Sequence, residues 1–306
     1  NMLKFENEQR TLHIGSVDVG GQPGELPTCL IGTIFYEGHK IVKDAESGAF
    51  GREKAEGLIV KQEELSERTG NPHMVDVIGL TSKAILRYID FVAGVTDAPI
   101  LVDSPFADVS ISGVKYAAET GLLDRIIYNS ITYHIKDEEI KALRDVGIKS
   151  AVILAYNPRN VWPRGRIELL QGCSSERGLL KIAEEAGIKN ILVDTAVLDV
   201  PSIGLAAEAV YLVKKQLALP SGASPSNAVL EWRRAKELGV HAKNVCVASA
   251  IVAMQHAGAD FILYGPIGKA DVVFPAVAMT DAVIAYAARL HGVAPKTEKH
   301  PLYKIF

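Results

Sequence analysis

The chain has 306 residues, of which 48% are hydrophobic and 23% are charged, and its formal net charge is −3. These values are typical of an ordinary globular protein that buries a sizeable core, as one large domain or two small ones. Because no long block of one sign occurs, the charge argues against a nucleic-acid groove and against a polybasic membrane patch.

The three cysteines, Cys29, Cys173 and Cys246, are widely spaced and form no CxxC pattern. We therefore expect a reduced, cytoplasmic setting. We also expect no membrane span, because Gln255 and His256 interrupt the apolar run over 244–259 and the first residues lack the apolar centre of a signal peptide.

The first predicted element is a short β-hairpin. Residues 11–20 alternate apolar and polar side chains around Gly15 and Ser16, a pattern that predicts two strands joined by a tight turn. We assign residues 1–26 to an amino-terminal extension built on this hairpin and expect it to cover the amino-terminal mouth of the main fold. The apolar run 28–36 then predicts the first buried strand.

From there helices and strands alternate regularly. Further strands are predicted at 73–79, 98–104, 125–131, 150–157, 190–197, 218–222 and 260–266. Helices are predicted at 51–69, 81–96, 108–120, 136–146, 175–187, 203–218, 226–238, 244–258 and 271–291. Eight strands separated by helices predict an α/β fold, the (β/α)8 TIM barrel, with residues 1–306 as a single domain.

The connections between these elements differ in length on the two faces of the barrel. Several helices end in a glycine directly before the next strand, at positions 121, 147, 187 and 258, which predicts short loops on the amino-terminal face. The connections after the strands are longer, and the longest is the predicted loop Pro158–Gln171. Such loops on the carboxyl-terminal face carry most substrate and partner contacts in barrels.

Five successive predicted strands end at or near a polar residue. These residues are Asp76, Asp103, Asn129, Asn157 and Asp194. Any one of them alone is typical of a helix cap or a turn. Because the carboxyl ends of parallel strands share one rim, the set favours a ligand site on that rim.

Carboxylates combined with amides suit a neutral ligand that presents several N–H donors. The edge of a pterin, with a ring N–H beside an exocyclic amine, is such a ligand, since one carboxylate can accept from both groups. Asp103 and Asp194 would be the acceptors. The amide of Asn129 can donate or accept, so it could follow a ring nitrogen whose protonation changes during a reaction.

Other sites are less supported by the pattern. The eight histidines show no zinc-site spacing, and we expect no protein-bound metal. Gly265-Pro-Ile-Gly-Lys269 follows the eighth strand, where many barrels bind phosphate, but its glycine spacing is loose. The helix 271–291 is apolar on more than one face, which suggests a homodimer contact or an embedded terminal helix.

Four segments resemble the MtrH subunit of tetrahydromethanopterin S-methyltransferase. They are Gly20-Gly-Gln-Pro-Gly-Glu25, Ile31-Gly-Thr-Ile-Phe-Tyr36, Arg52–Gly70 with Gln62-Glu-Glu-Leu-Ser66, and Tyr88-Ile-Asp-Phe-Val92. More distantly, Leu101-Val-Asp-Ser104, Tyr128-Asn-Ser130 and Leu192-Val-Asp-Thr195 look like the pterin-binding strand ends of methyltetrahydrofolate:corrinoid methyltransferases. The first likeness covers nearly the whole chain.

The resemblance implies a pterin-binding TIM barrel that moves a methyl group between a corrinoid and N5 of a tetrahydropterin. It implies a tetrahydropterin substrate, for which we favour tetrahydrofolate over tetrahydromethanopterin, and a corrinoid, either methylcobalamin or the corrinoid of a partner protein. On this resemblance Asp103 and Asp194 would hold the pterin ring, with Ser104 beside them, and Asn129 would lie by N5. We therefore name Asn129, Asp103 and Asp194 as catalytic residues.

Two departures from the family pattern matter. The wider family often has Asp-x-Asn on its second strand, whereas here only Asp76 is kept. The amide that relatives use on the seventh strand has no clean match, and the candidates for this position are Ser221, Ser224 and Asn227.

Several alternatives stay open at this point. The protein could be specific for tetrahydromethanopterin, or it could be a docking subunit that holds a pterin or a corrinoid protein without chemistry. A condensation like that of dihydropteroate synthase would require a cationic pyrophosphate site, for which only Lys269 is well placed. A barrel with an unrelated substrate is also compatible with the fold.

Overall fold

Eight parallel strands close into a barrel in the computed structural model, which describes residues 3–174 and 176–306. The strands are β1 Cys29–Ile34, β2 His73–Ile78, β3 Ile100–Asp103, β4 Ile126–Ile131, β5 Ser150–Leu154, β6 Asn190–Asp194, β7 Ser221–Ala223 and β8 Phe261–Pro266. Each strand pairs with its neighbour in the chain, and β8 closes on β1. The predicted (β/α)8 barrel is confirmed.

Helices surround this barrel. They are α1 Arg52–Thr69, α2 Ser82–Val95, α3 Ala107–Glu119, α4 Asp137–Val146, α5 Pro163–Gln171, α6 Leu179–Glu185, α7 Ser202–Leu217, α8 Pro225–Glu231, α9 Arg233–Glu237, α10 Gly239–His256, α11 Ala270–Ala288 and α12 Pro301–Lys304. Most helices lie within a few residues of their predicted bounds, as expected for strongly periodic segments.

The sequence interpretation was wrong about parts of four segments. The predicted loop Pro158–Gln171 contains α5, because Pro163 at the first helical position starts a helix instead of ending one. The predicted helix 226–238 is divided into α8 and α9 at Trp232, which has extended backbone angles. The strand predicted at 218–222 begins only at Ser221, because Ala218 caps α7 in a left-handed conformation.

The helix predicted over 175–187 is also shorter. It begins at Leu179, after a two-stranded ribbon formed by Gly172–Cys173 and Glu176–Arg177, and residue 175 lies outside the described residues. This ribbon and α5 both precede α6 in the connection after β5.

The amino-terminal hairpin consists of the strands Thr11–Ile14 and Val17–Gly20. Its four apolar side chains are buried against the inward-facing side chains of the barrel strands. Its turn at Gly15 lies against Pro99 and Arg125, which directly precede β3 and β4. The hairpin therefore covers the amino-terminal mouth of the barrel, as predicted.

The terminal segment Ile267–His291, which contains α11, is long and apolar enough by length and composition to cross a membrane. This segment departs from the expectation that no apolar stretch reaches that length. However, 56% of its most apolar window is buried inside the protein. Asp281 on this helix accepts hydrogen bonds from Thr28, Asn71 and Gln255, and these bonds attach α11 to the barrel.

Candidate functional site

A polar layer closes the carboxyl-terminal end of the barrel interior. Met74, Leu101, Ile127 and Leu192 point into the barrel, where they form one apolar cluster with the hairpin. Because side chains in a strand alternate between its two faces, the residue two positions later also points inward. That residue is Asp76 on β2, Asp103 on β3, Asn129 on β4 and Asp194 on β6. The structure thus brings four predicted site residues to one mouth.

Asp76 lies at the centre of this layer and is almost fully buried. Its two carboxylate oxygens accept hydrogen bonds from the Thr33 hydroxyl at 2.8 Å and from Asn129 Nδ2 at 3.2 Å. Burial raises the pKa of Asp76 to about 6, and the two hydrogen bonds partly oppose this rise. The bond to Asp76 fixes the Asn129 amide with Nδ2 toward the carboxylate and leaves Oδ1 for another partner.

Asp103 lies directly opposite Asn129 in the β3–β4 pairing. Burial raises the pKa of Asp103 well above its usual value, and the negative charge of Asp76 raises it further. A hydrogen bond from the backbone of Ser104 opposes this rise. No side chain among the described residues donates a hydrogen bond to the Asp103 carboxylate, so its oxygens can accept from a ligand.

Asp194 faces the same mouth from β6, two strands beyond β4 and about 10 Å along the sheet. Its Oδ1 accepts a hydrogen bond of 2.7 Å from the backbone of Ala196. Burial raises the pKa of Asp194 to about 6, and the bond from Ala196 and the nearby Arg166 guanidinium oppose the rise. Within residues 3–174 and 176–306, no group donates a hydrogen bond to Asp194 Oδ2.

These groups can bind a flat ligand that is rich in N–H donors. Asp103, Asn129 Oδ1 and Asp194 Oδ2 are acceptors held at different points of one mouth. Each N–H that they bind would stabilise the ionised form of a carboxylate that burial otherwise disfavours.

Two further predicted residues shape loops instead of facing the mouth. Asn157 donates to the carbonyl of Gly165 and accepts from the backbone of Arg159 and Asn160, so its amide is engaged within its own loop. The Ser104 hydroxyl accepts from the backbone of Phe106, which orders the turn before α3.

Of the three candidates on the seventh strand, two lie at the mouth. Ser221 is on the other face of β7, where its hydroxyl donates to Val210 on α7, so we leave it out of the proposed site. Ser224 and Asn227 come after the strand and bond to each other at 3.2 Å. Asn227 also lies against Gly265 on β8, which puts this pair at the carboxyl-terminal rim.

The segment Gly265–Lys269 carries one cationic side chain, which is directed toward α10. Its Lys269 Nζ donates to Asn244 Oδ1 at 3.1 Å. Over the described part of the chain, no group of three or more His, Cys, Asp or Glu side chains could hold a metal ion.

Sequence reasoning missed two residues that build the site. Thr33 bonds Asp76, and its position two residues after the inward-facing Ile31 could have indicated this. Arg166, within the predicted loop, is buried beside Asp194. A charged residue in a surface loop gives no signal in the sequence that it will be buried.

The chain is similar to a group of methyltransferase proteins over nearly its whole length. The model of the tetrahydromethanopterin S-methyltransferase MtrH subunit family matches residues 7–296. The H subunit of tetrahydromethanopterin S-methyltransferase from Methanopyrus kandleri is 43% identical over 312 residues, which cover 96% of each chain. The H subunit of the putative methyltransferase mtx from Methanosarcina mazei is 43% identical, with 98% of this chain and 99% of that protein covered.

Solved structures with the same fold include dihydropteroate synthases. The enzyme from Yersinia pestis, with a pterine-sulfa conjugate, has a TM-score of 0.60 at 13% identity and covers 90% of this chain and 99% of that one. The enzyme from Xanthomonas albilineans has a TM-score of 0.59 at 14% identity, with coverages of 91% and 98%. At this identity the likeness shows the fold alone. The family model and the curated relatives show more, and this chain belongs to the tetrahydromethanopterin S-methyltransferase MtrH subunit family.

Proposed function

We propose that this protein transfers a methyl group between a corrinoid and N5 of a tetrahydropterin, with tetrahydrofolate as the first pterin to test. A methyltransferase acting on a pterin agrees with the family to which the chain belongs. Tetrahydromethanopterin, which the names of its relatives contain, is the second candidate. The observation that carries the proposal is the polar layer, in which Asp103, Asn129 and Asp194 keep acceptor oxygens for a ligand.

The pterin would be held by its hydrogen-rich edge. One carboxylate can accept from both the ring N–H and the exocyclic amine, and we assign this pair of hydrogen bonds to Asp103. Asp194 would accept a further N–H of the pterin through Oδ2, because its Oδ1 is bonded to Ala196. Asn129 then lies beside N5 with its Oδ1 available, because Asp76 already binds its Nδ2.

The transfer is an in-line displacement between two bound molecules. When the pterin is methylated, the N5 lone pair attacks the methyl carbon, the carbon–cobalt bond breaks with its electron pair left on cobalt, and N5 loses a proton. In the reverse direction N5 must first be protonated, because an unprotonated N5 would have to leave as an amide anion, which is a poor leaving group. Asn129 Oδ1 can accept a hydrogen bond from that protonated N5, and the barrel mouth supplies the alignment.

Asn129→Ala is expected to slow methyl exchange on the order of tenfold to a hundredfold, because a hydrogen bond to a charged group contributes about 1.5–3 kcal/mol. Pterin affinity should fall less, since Asp103 and Asp194 remain. The measurement is the rate of methyl exchange between methylcobalamin and each of the two pterins, together with the dissociation constant of each pterin.

Asn190→Ala is the matched control for this experiment. Asn190 begins β6, at the opposite end of the barrel, and its amide donates to Ser150 on the neighbouring strand at 3.1 Å. Equal losses in the two variants would contradict the assignment of Asn129. A wild-type protein that exchanges no methyl group with either pterin, yet binds a corrinoid protein, would support a docking subunit instead of an enzyme.

A corrinoid protein would approach the carboxyl-terminal rim. The connections that follow β3, β4, β5 and β6 each expose a large apolar side chain, namely Phe106, Tyr133, Trp162 and Leu198, which are 47–63% exposed. Apolar side chains that surround a site on successive loops are typical of a surface that a protein partner covers. We therefore propose that this rim surface contacts the partner that carries the corrinoid.

A second copy of the chain would cover a different face. Met279, Val283, Tyr286 and Leu290 are all exposed and are spaced so that they form one stripe along α11 and the turn after it. Between Asp271 and Arg289 the exposed residues of this helix are uncharged. We propose that this stripe packs on itself about a two-fold axis to form a homodimer.

Val283→Glu is expected to convert the homodimer to a monomer, because it places two carboxylates in an apolar contact. Light scattering after size-exclusion chromatography gives the mass directly. Leu198→Glu is the control, since Leu198 is equally exposed but lies on the rim surface. A wild-type mass of one chain, or a Val283→Glu protein that remains dimeric, would contradict this interface.

We further propose that residues 1–306 form one domain and that the protein is cytoplasmic. The first proposal is supported by the hairpin, whose side chains share a single core with the barrel strands. The second is supported by the wide spacing of the three cysteines, which form no CxxC pattern, and by Cys29 and Cys246, which form no disulfide bond.

A further inference from the structure

Arg166 is a guanidinium buried in the wall of the barrel mouth. It lies on α5, in the segment predicted as a surface loop, and only 2% of its surface is exposed. Arginine is seldom so deeply buried unless its N–H groups are bonded. Its position next to Asp194 therefore requires an explanation.

The hydrogen bonds of Arg166 join two loops of the carboxyl-terminal rim. Its Nε and Nη2 donate to the carbonyl of Val161, at 3.3 and 3.2 Å. Its Nη1 donates to the carbonyls of Thr195 and Ala196, the latter at 2.8 Å. Among the described residues, every acceptor of an Arg166 hydrogen bond is a backbone carbonyl.

The two carbonyls that accept from Nη1 belong to the two residues that follow Asp194. Ala196 has a φ of +61°, which is a left-handed conformation. This conformation costs free energy for an alanine, so it persists only where neighbouring contacts stabilise it. In this conformation its N–H donates to Asp194 Oδ1 at 2.7 Å. The turn held by Arg166 thus occupies Oδ1 and leaves Oδ2 for a ligand.

We propose that Arg166 is a positioning residue that holds the turn after β6 so that Asp194 presents Oδ2 to the pterin. That the ligand is a pterin rests on the proposed function. The arrangement of Arg166, the turn and Asp194 rests on the structure alone. Arg166 acts through Asp194 and does not itself touch the substrate.

Lysine cannot replace arginine here. The guanidinium is a planar fork that reaches both loops at once, whereas an ammonium group is a single point donor. Arg166→Lys is therefore expected to loosen the turn and raise the KM for the tetrahydropterin on the order of tenfold to a hundredfold. The kcat and the KM for methylcobalamin should stay near the wild-type values, because Asp194 binds the pterin equally in the ground and transition states.

Arg125 offers a matched control at the other end of the barrel. Its guanidinium also donates to two backbone carbonyls, those of Thr96 at 2.7 Å and Ala93 at 3.1 Å, but on the amino-terminal face. Arg125→Lys should lower the melting temperature and leave the KM for the pterin unchanged. If Arg166→Lys and Arg125→Lys change this KM to the same extent, the proposal is overturned.

A double-mutant cycle with Asp194→Asn tests the route of the effect. If Arg166 acts through Asp194, Arg166→Lys should add little to the KM of the Asp194→Asn protein, and fully additive effects would overturn the proposal. Arg166→Gln, which keeps two N–H donors, is a second variant in case Arg166→Lys does not fold. If neither variant folds while Arg125→Lys does, Arg166 is a structural residue and the proposal fails.

The same assays separate this inference from the proposed function. A wild-type protein that neither binds a tetrahydropterin nor exchanges a methyl group contradicts the proposed function. An active wild type whose Arg166 variants keep the wild-type KM contradicts only the role of Arg166.

Discussion

Asp103→Asn is expected to weaken tetrahydropterin binding on the order of a hundredfold, and at the same time to raise the free energy of unfolding. The loss of binding follows because the charged acceptor of two N–H groups is removed, at a cost of about 3 kcal/mol. The gain in stability follows because burial and the neighbouring Asp76 both disfavour the Asp103 charge, and no side chain among the described residues bonds it. A variant that binds the pterin more weakly but unfolds less readily would show that Asp103 serves binding at a cost in stability.

Calorimetric titration with the pterin and urea unfolding at pH 7 measure the two effects. Asp108→Asn is the control, because this carboxylate follows on the same connection but is exposed on the first turn of α3. It should leave pterin affinity unchanged. An Asp103→Asn protein that binds the pterin as tightly as the wild type would remove Asp103 from the site.

Asp260→Asn is expected to destabilise the fold by about 3–5 kcal/mol, because it leaves a buried ammonium group without its counter-charge. Lys214 on α7 and Asp260 before β8 form a buried ion pair with N–O distances of 2.6 and 2.8 Å. Lys214 also donates to the carbonyl of Gly21, and Asp260 accepts from the backbone of Ser221. The pair therefore joins the hairpin, α7, β7 and β8 at the amino-terminal face.

Urea unfolding of the Asp260→Asn protein checks this value, with the exposed pair Lys181–Glu184 as the control. That pair has a similar distance of 2.8 Å, yet Glu184→Gln should cost less than about 1 kcal/mol, because water already screens both charges. The double variant Lys214→Met/Asp260→Leu should recover part of the loss, since no charge is left buried, while the carbonyl of Gly21 and the N–H of Ser221 lose their partners. Equal losses for Asp260→Asn and Glu184→Gln would contradict the importance of the buried pair.

These predictions assign different functions to the two ends of the barrel. Variants at the amino-terminal face, such as Asp260→Asn and Arg125→Lys, should change stability. Variants at the mouth, such as Asp103→Asn and Asn129→Ala, should change binding or turnover. This division is expected of a parallel barrel, in which loops after the strands carry the site and loops before them close the core.

The barrel and the identity of its polar strand ends follow from local patterns in the amino-acid sequence. Short runs such as 100–103 and 190–194 are apolar through their length and end in Asp, and this is enough to predict buried parallel strands with polar ends. The tight turn at Gly15 and the glycine ends of the helices are equally local. Their backbone conformations depend on neighbouring residues, so they can be predicted before any tertiary contact is known.

Which of those polar residues work together depends instead on how the strands and helices pack. The carboxylate of Asp76 binds Asn129, 53 residues away, because β2, β3 and β4 align in one register. Ser221 faces away from the mouth because its register on β7 pairs it with the outward-facing Val193 of β6. Arg166 lies near Asp194 because a proline starts a helix where a loop was expected. Strand register and helix packing depend on contacts between residues that are distant in the chain, so they cannot be predicted from local sequence patterns.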